Sequence, residues 1–267
     1  MTTHLPSLHV GGSGGVTALA AGSYEWFVHR GRAPVVFLST SLAALGEGEA
    51  LDARVTVAAG GTATVTTQGP TTLIRTGSVV PQGWALSLED GAHLTFLPWL
   101  TIPFPGSRSG LRIDVRLGTG ASLVAWDTLA VGRVARAERF LFDELRSDWR
   151  IEAPGGLLLH DRLAVRGDDR AEAGTLLAGR THLASLYVAG PDEATLPVEA
   201  VREALGKDAD LAGASRPDPT LLVVRALGHG SDELERALWP IVGLARDAAG
   251  APALSPADVA RRWFAAS

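Results

Sequence analysis

Hydrophobic and polar residues alternate along the chain from about residue 20 to about residue 190, and Gly or Pro interrupts the alternation at short intervals. A period of two is typical of half-buried strands, and Gly and Pro mark the turns between them. From about residue 191 onward, apolar residues recur at spacings of three and four in segments rich in Ala, Leu, Glu and Arg. The pattern predicts one domain over 1–267, with a β-rich part (20–190) and a helix-containing C-terminal part (191–267).

A plan of strand, glycine turn and second strand recurs within the β-rich part. It is found in ARVTVAAGGTATVTT, WALSLEDGAHLTFLP, LRIDVRLGTGASLVAWD and, less clearly, WRIEAPGGLLLHDRL. The turn glycines Gly60, Gly91, Gly120 and Gly155 are 31, 29 and 35 residues apart. A period of this size indicates a repeated unit whose apolar face is covered by its neighbours. We therefore expect a mainly β fold, a layered or superhelical array of β-hairpins. The alternative is an ordinary all-β protein whose hairpins happen to be evenly spaced.

Two or three α-helices are predicted in the C-terminal part. The segment GSDELERALWPIVGLARDAAG has a helical period, with a start at Ser231 and a stop at Gly250. Pro240 is expected to kink or restart this helix. In SPADVARRWF, Ser255 would be the N-cap of a short helix and Pro256 its first residue. A further helix is expected in PDEATLPVEAVREALG.

Composition narrows the function classes. The 267-residue chain is 46 % hydrophobic, has a net charge of −5 and contains no cysteine. A chain of this length and composition can bury a sizeable hydrophobic core. Nucleic acid is not an expected partner, because the sequence contains no cluster of basic residues. Absence of cysteine excludes disulfides and thiolate metal sites. No apolar run approaches the ~18 residues of a membrane span, and no signal peptide is recognisable, so we expect a cytoplasmic protein.

Familiar catalytic and metal motifs are weak in this sequence. Gly11, Ser13 and Gly15 fit the G-x-S-x-G pattern, but a nucleophile elbow needs a strand before the serine and a helix after it. A flexible glycine-rich entry segment is the better interpretation, and a small hydrolase using Ser13 is a minor alternative. The seven histidines form no tight ligand pair, and no P-loop is present.

Charged residues on the later strands have two interpretations. They are Asp127, Arg133, Glu138, Arg139, Asp161 and Arg162. They could pair across the sheet as surface ions, each pair contributing little to stability. Alternatively, some of them point into a polar interior, where a charge must be paired or must contact water.

The stretch VTTQGPTTLIRTG carries five threonines and a single charged residue. It predicts two short strands around a Gly-Pro turn. Threonines are β-branched strand formers with hydroxyl groups, so they can build a rigid wall that is polar without being charged. The alternative is that these threonines occupy ordinary exposed strand positions.

Five segments, taken in order, resemble the urease accessory proteins called UreD or UreH. They are TTQGPTTLIRTG, LPWLTIPF (Leu97–Phe104), GRVARAERF (Gly132–Phe140), DRL (Asp161–Leu163) and the C-terminal RRWF. The resemblance covers about residues 25 to 265. This chain has GEGEALDARV where the family usually has Gly-Gly-Asp, so Glu47 or Glu49 would stand in for the aspartate. Ala137 and Arg261 replace a glycine and a proline that are common in the family.

The resemblance implies a non-catalytic maturation factor for nickel-dependent urease, with a mainly β fold of superhelical layers. Its implied partners are UreF, UreG through UreF, and apo-urease. No tightly bound cofactor is expected, only transient Ni²⁺ crossing a water-filled passage. The threonine wall and nearby carboxylates are the candidate passage residues: Glu138, Asp161, Thr66, Thr67, Glu47 and Glu49.

The candidate partner-binding residues lie in the helical C-terminal part. They are Trp239, Arg262 and Trp263, because interfaces favour Trp and Arg anchors. A buried core position is the alternative for Trp239. The competing functional interpretation is a stand-alone β-type module for a small ligand or carbohydrate, in which the seven tryptophans would offer stacking platforms.

Overall fold

A computed structural model describes residues 5–30, 33–206 and 211–260. Strands form most of its regular structure. They are β1 (Ser7–Val10), β2 (Val16–Leu19), β3 (Tyr24–His29), β4 (Val35–Thr40), β5 (Leu51–Val57), β6 (Thr62–Thr67), β7 (Thr71–Leu73), β8 (Val80–Leu88), β9 (His93–Leu97), β10 (Thr101–Pro103), β11 (Arg108–Leu117), β12 (Ser122–Ala130), β13 (Glu144–Ala153), β14 (Gly156–Arg166), β15 (His182–Ala189), β16 (Ala212–Asp218) and β17 (Leu221–Gly228). The helices are α1 (Arg170–Leu176), α2 (Val198–Leu205), α3 (Ser231–Ala248) and α4 (Pro256–Ala260).

The strands form two sheets. One is seven-stranded, in the order β14-β13-β11-β8-β5-β1-β2. The other is ten-stranded and follows β16-β17-β15-β12-β9-β6-β4-β3, with the short β7 and β10 joined beside β12. Strands β5, β8, β11 and β13 are parallel in the first sheet, as are β4, β6, β9 and β12 in the second. Antiparallel strands complete the edges of both sheets.

The mainly β, layered architecture expected from the glycine spacing is confirmed. Each of the first three units places its first strand in the seven-stranded sheet and its second strand in the ten-stranded sheet. The two strands of these units therefore face each other across the core, as in a solenoid coil, rather than pairing as a hairpin. Only the fourth unit, β13 and β14, is a hydrogen-bonded antiparallel hairpin.

Stacking of the units is visible at their turns. Gly60, Gly91 and Gly120 have φ angles of 66°, 65° and 67°, a left-handed conformation that glycine adopts without strain. The Gly60 N–H donates to the Asp90 carbonyl, and the Gly91 N–H to the Thr119 carbonyl, both at 2.9 Å. Equivalent turns therefore lie one above the other.

The ten-stranded sheet is the middle of three layers. On one side it packs against the seven-stranded sheet, where four aromatic rings lie in a row. The ring centroids are 4.8 Å apart for Trp84 and Phe96, 6.3 Å for Phe96 and Trp149, and 4.7 Å for Trp149 and Tyr187. On the other side it packs against α2 and α3 through residues such as Leu186, Val224 and Leu238. Strand β12 is consequently buried along its whole length.

The C-terminal helices agree with their predicted boundaries. Helix α3 begins at Ser231 and continues through the exposed Pro240, so the proline does not restart it. Gly250 (φ 65°) follows the end of α3, and its N–H donates to the Asp247 carbonyl at 3.0 Å. The Ala251 N–H donates to the Arg246 carbonyl at 2.9 Å, which completes a Schellman motif. Helix α4 begins at Pro256 as predicted.

Helix α1 and the strands β16 and β17 were not predicted. Helix α1 interrupts the β-rich part, and strands β16 and β17 lie in the part where only helices were expected. The pair β16 and β17 extends the ten-stranded sheet beside β15. The composition change near residue 191 is therefore not a boundary between sheets and helices. Among the described residues, no helix has the length and apolar character needed to cross a membrane.

Candidate functional site

A cavity of about 300 Å³ lies between the two sheets, near the β13–β14 hairpin. We name it the polar cavity after the charged side chains in its lining, which also includes five leucines. The register of the strands builds it. Asp127 of β12 is opposite Ser185 of β15, and Ser185 is opposite Arg225 of β17, which makes a polar row across the ten-stranded sheet. The facing wall carries Ser147, Trp149 and Asp161 of the seven-stranded sheet. Residues far apart in sequence are thereby brought around one cavity.

The first of its two carboxylates is deeply buried. Asp127 is only 6 % exposed, and its Oδ2 accepts hydrogen bonds from the Ser147 hydroxyl (2.6 Å) and the Trp149 indole N–H (3.3 Å). Burial raises the pKa of the Asp127 carboxyl, although these two donors oppose the shift. The site thus holds a carboxyl group that water does not stabilise.

The second carboxylate is held by a tyrosine and an arginine. The Tyr187 hydroxyl donates to Asp161 Oδ2 at 2.5 Å, and the Arg225 guanidinium donates to the same oxygen. Arg225 also contacts the hydroxyls of Ser185 and Tyr187. Burial raises the pKa of Tyr187, so its hydroxyl stays protonated and can serve as a donor. Half of the Arg225 side chain is exposed, which connects this end of the cluster to solvent.

Chemically, the cavity offers hard oxygen atoms from two carboxylates and several hydroxyls. Such ligands suit hard or borderline divalent cations and exchange them readily. Within the described parts of the chain, no three His, Asp or Glu side chains come together as a metal-binding group. The arrangement therefore favours weak contacts with a cation over a tight coordination site.

A second cavity, of about 420 Å³, is uncharged. It lies beside β3 and β4. Its lining consists of Tyr24, Leu51 and residues 38–40, 42–45 and 67–72. None of these lining residues is charged. The Tyr24 hydroxyl is buried and has no hydrogen-bond partner among the described residues, and burial raises its pKa to about 12. This cavity suits neutral or apolar groups.

Comparison with known proteins decides the family. The family model described as "UreD urease accessory protein" matches residues 26–260. This chain belongs to the UreD family. It is 34 % identical over 211 residues to the urease accessory protein UreD of Pseudomonas putida (strain GB-1), covering 78 % of this chain and 74 % of that protein. It is 31 % identical over 228 residues to the UreD of Chelativorans sp. (strain BNC1), covering 85 % and 81 %.

The UreD-like threonine stretch is bonded to the backbone. Thr66 is fully buried, and its hydroxyl donates to the Leu97 carbonyl at 2.6 Å. Thr67 lines the uncharged cavity. Its hydroxyl donates to the Gly69 carbonyl (2.9 Å) and accepts a hydrogen bond from the backbone N–H of Trp99 (2.9 Å). The Thr72 hydroxyl donates to the Ala43 carbonyl at 2.7 Å. These hydroxyls join neighbouring loops, and the expectation that they form a polar wall of a passage stays a prediction.

Glu47 and Glu49, the glutamates expected to stand in for an aspartate, accept hydrogen bonds from loop residues. Glu47 accepts hydrogen bonds from the Ser78 hydroxyl (2.6 Å) and from the N–H groups of Gly77 (2.7 Å) and Ser78 (3.3 Å), which lower its pKa. Glu49 accepts from the Gly46 N–H at 2.6 Å. Neither glutamate lines either of the two cavities.

Glu138, in the third UreD-like segment, is paired with an arginine. Its two oxygens accept from Arg133 Nε (2.6 Å) and Nη2 (2.8 Å), and this guanidinium lies 4.3 Å above the Phe104 ring. Ala137 beside it has φ 58°, a left-handed conformation that glycine adopts with less strain than alanine. Of the six predicted passage residues, Asp161 lines the polar cavity, Thr67 lines the uncharged one, and the other four line neither.

The predicted partner-binding residues are only partly described. Trp239 lies on α3, half-buried, with its ring edge-on to Trp126 at 5.9 Å. Arg262 and Trp263 lie outside the described residues. A role for these three in partner binding stays a prediction.

Sequence reasoning found part of the polar cavity. Asp127 and Asp161 were among the residues that could point inward, and both line the cavity. Arg162 also borders it, but its guanidinium pairs with Asp148 at 3.0 Å. Arg225 and Tyr187 were not singled out. The sequence could have indicated Arg225, because it is the single charged residue in the otherwise apolar segment LLVVRALG.

Proposed function

We propose that this protein acts in the cytoplasm as a non-catalytic scaffold that delivers nickel to urease. In this proposal it binds UreF, and through UreF it recruits UreG. It also contacts apo-urease, and Ni²⁺ crosses the protein through an internal, water-filled passage. Membership of the UreD family supports the accessory role. The polar cavity between the sheets, with Asp127 and Asp161, is the observation that carries the metal-delivery part.

The chemistry of the cavity suits a route better than a store. A passage must attract a cation strongly enough for entry and weakly enough for release. Asp127 and Asp161 supply the attraction, and hydroxyls such as that of Ser147 supply neutral oxygen ligands. Cysteine is absent from the sequence, so no thiolate can trap Ni²⁺. Nickel is accordingly a cargo in this proposal and not a resident cofactor.

The partner-facing surface is proposed to include the helical layer. Trp239 is half-buried on α3 and supported from below by Trp126. A rigid aromatic side chain held in this way is a typical interface anchor. Arg262 and Trp263 would extend the same surface.

The tryptophans give the carbohydrate-binding alternative little support. Trp84, Trp126 and Trp149 are buried, and the remaining described tryptophans are half-buried. A sugar-stacking platform needs an accessible ring face. The uncharged cavity beside Tyr24 is the feature that keeps a neutral small ligand as the second candidate.

Reconstitution tests the proposed function. The full chain would be co-expressed with UreF, UreG and apo-urease, and urease activity would be measured with nickel and bicarbonate, with and without the chain. We expect a stable complex and urease activation that depends on the chain. Absence of both the complex and the dependence would contradict the proposal and favour the ligand-binding alternative.

A further inference from the structure

We propose that Arg225 is a displaceable counterion that closes the polar cavity to cations until a divalent ion displaces its guanidinium from Asp161. The inference rests on the proposed nickel-delivery function and assigns a regulatory residue to the same cavity. It concerns which ions enter, because an ion can enter only by replacing the arginine.

The first argument is the position of the guanidinium. Arg225 donates to the carboxylate of Asp161 and to the hydroxyls of Ser185 and Tyr187. These are oxygen atoms that a cation in the cavity would approach. The guanidinium therefore already occupies the place where oxygen ligands converge.

The second argument is the charge balance of the cavity. Its lining contains four charged side chains: Asp127, Asp161, Arg162 and Arg225. Arg162 is 69 % exposed and forms an ion pair with Asp148, outside the cavity. Among the lining side chains, Arg225 is thus the cation that faces the two carboxyl groups, and it offsets one negative charge. While it stays in place, an entering metal ion meets like-charge repulsion and a weakened acidic field.

The third argument is that Arg225 can move. Its side chain is 50 % exposed, so a rotation toward solvent does not require the core to open. Water can therefore replace the contacts that the guanidinium loses when it moves. The Ser185 and Tyr187 hydroxyls can rotate to offer their oxygen lone pairs once the guanidinium leaves.

Together these features predict selectivity by charge. A divalent ion gains about twice the Coulomb energy of a monovalent ion at the same distance from the carboxylates, so it competes with Arg225 more effectively. Abundant monovalent ions would be excluded, and Ni²⁺ would enter at the cost of displacing one guanidinium.

Nickel binding to the tag-free full chain tests the proposal. Equilibrium dialysis would measure Ni²⁺ affinity for the wild type, Arg225→Gln and Arg112→Gln. We expect Arg225→Gln to bind Ni²⁺ about tenfold more tightly, because the competing charge is gone. Arg112→Gln removes an exposed arginine of the seven-stranded sheet that pairs with Asp114 and does not line the cavity, so it should match the wild type. The double variant Arg225→Gln/Asp161→Asn should bind Ni²⁺ no more tightly than the wild type.

A stability readout accompanies the affinity. Arg225→Gln leaves Asp161 without its counterion, so its melting temperature should fall, and Ni²⁺ should restore it by preferential binding to the folded state. If Arg225→Gln does not fold, Arg225→Lys replaces it, since it keeps the charge but loses the forked contact. Arg225→Lys should bind Ni²⁺ more tightly than the wild type, by a smaller factor.

Equal Ni²⁺ affinity of Arg225→Gln, Arg112→Gln and the wild type would overturn the counterion role. The reconstitution assay separates this outcome from failure of the proposed function. Activation of urease by the wild type, without tighter Ni²⁺ binding in Arg225→Gln, would leave the delivery function and remove the gate. Tighter binding in Arg225→Gln without activation by the wild type would keep the gated cavity and remove the delivery role.

Discussion

The two faces of the ten-stranded sheet each carry a buried polar cluster, and the two clusters differ in charge and space. The inner cluster, between the sheets, is the cavity of Asp127, Asp161 and Arg225. The outer cluster lies beneath α3 and joins Arg246 to Thr64, Thr95, His93 and Ser122. The residues of each cluster are far apart in the sequence, and each cluster interrupts an otherwise apolar layer.

The outer cluster is closed and contains no carboxylate. Arg246 is 1 % exposed and donates to neutral oxygens: the hydroxyls of Thr64 (3.3 Å) and Thr95, and the Pro252 carbonyl (Nε, 3.1 Å). Its charge is partly compensated by the helix dipole, because it lies in the last turn of α3. The Schellman motif at Gly250 returns the chain so that Pro252 can accept these bonds. This cluster fastens the helix to the sheet.

The comparison shows that burial of polar residues does not by itself identify a site. Both clusters are buried and hydrogen-bonded, as buried polar groups generally are. Only the inner cluster combines two carboxylates, a cavity and a half-exposed arginine. We therefore propose a structural role for the outer cluster and ion passage for the inner one.

The largest stability effect is expected from Arg246→Ala. It removes a packed side chain and leaves the Thr64 and Thr95 hydroxyls and the Pro252 carbonyl with fewer partners, so unfolding should become easier by about 3 kcal/mol. Urea unfolding measures the change. Arg236→Ala, an exposed arginine on the same helix, is the control and should change stability by less than about 0.5 kcal/mol. Equal losses in the two variants would contradict the fastening role.

The next effect concerns pH. The ring nitrogens of His93 form hydrogen bonds with the hydroxyls of Ser122 (2.8 Å) and Thr95 (2.9 Å). Burial lowers the pKa of His93 to about 3, and the nearby positive charge of Arg246 acts in the same direction. In the unfolded chain its pKa is near 6.5, so only the unfolded state takes up this proton as pH falls below that value. The contribution of His93 to stability is therefore complete above pH ~6.5 and is lost progressively toward pH 3.

His93→Gln should flatten this dependence, because glutamine can hydrogen-bond without titrating. The measurement is the free energy of unfolding at intervals between pH 7 and pH 4. A His93→Gln variant with a stability as steeply pH-dependent as that of the wild type would refute the buried neutral state of His93.

Asp127 contributes to the pH dependence of stability with the opposite sign. Because its pKa is raised in the folded state, its contribution is present at low pH and is lost as pH rises through the folded-state pKa.

The smallest effect is expected from Thr66→Val. Loss of its hydrogen bond to the Leu97 carbonyl should reduce stability by about 1 kcal/mol and leave urease activation unchanged at equal amounts of folded protein. A selective loss of activation would instead support the predicted threonine wall of a passage. Thr72→Val, which removes the exposed hydrogen bond from β7 to the Ala43 carbonyl, is the matched control.

The sequence alone predicted much of the layering and little of the cavity. Alternation and the turn glycines Gly60, Gly91 and Gly120 indicated the stacked units because these signals are local. Whether the two strands of a unit pair or separate is decided by packing between units, so the coil geometry was not predictable. Likewise, Asp127, Ser185 and Arg225 meet only through strand register, and each one alone has the appearance of an ordinary surface residue.

The most direct test of the inner cluster is urease activation by Asp161→Asn. The variant keeps the size of the side chain and removes the charge, so complex formation with UreF, UreG and apo-urease should persist. Asp148→Asn, on the outer face of the same hairpin, is the control. At equal amounts of complex, we predict that Asp161→Asn lowers the rate of activation and the nickel content of urease about tenfold, while Asp148→Asn matches the wild type. Equal activation by both variants would contradict the assignment of ion passage to this cavity.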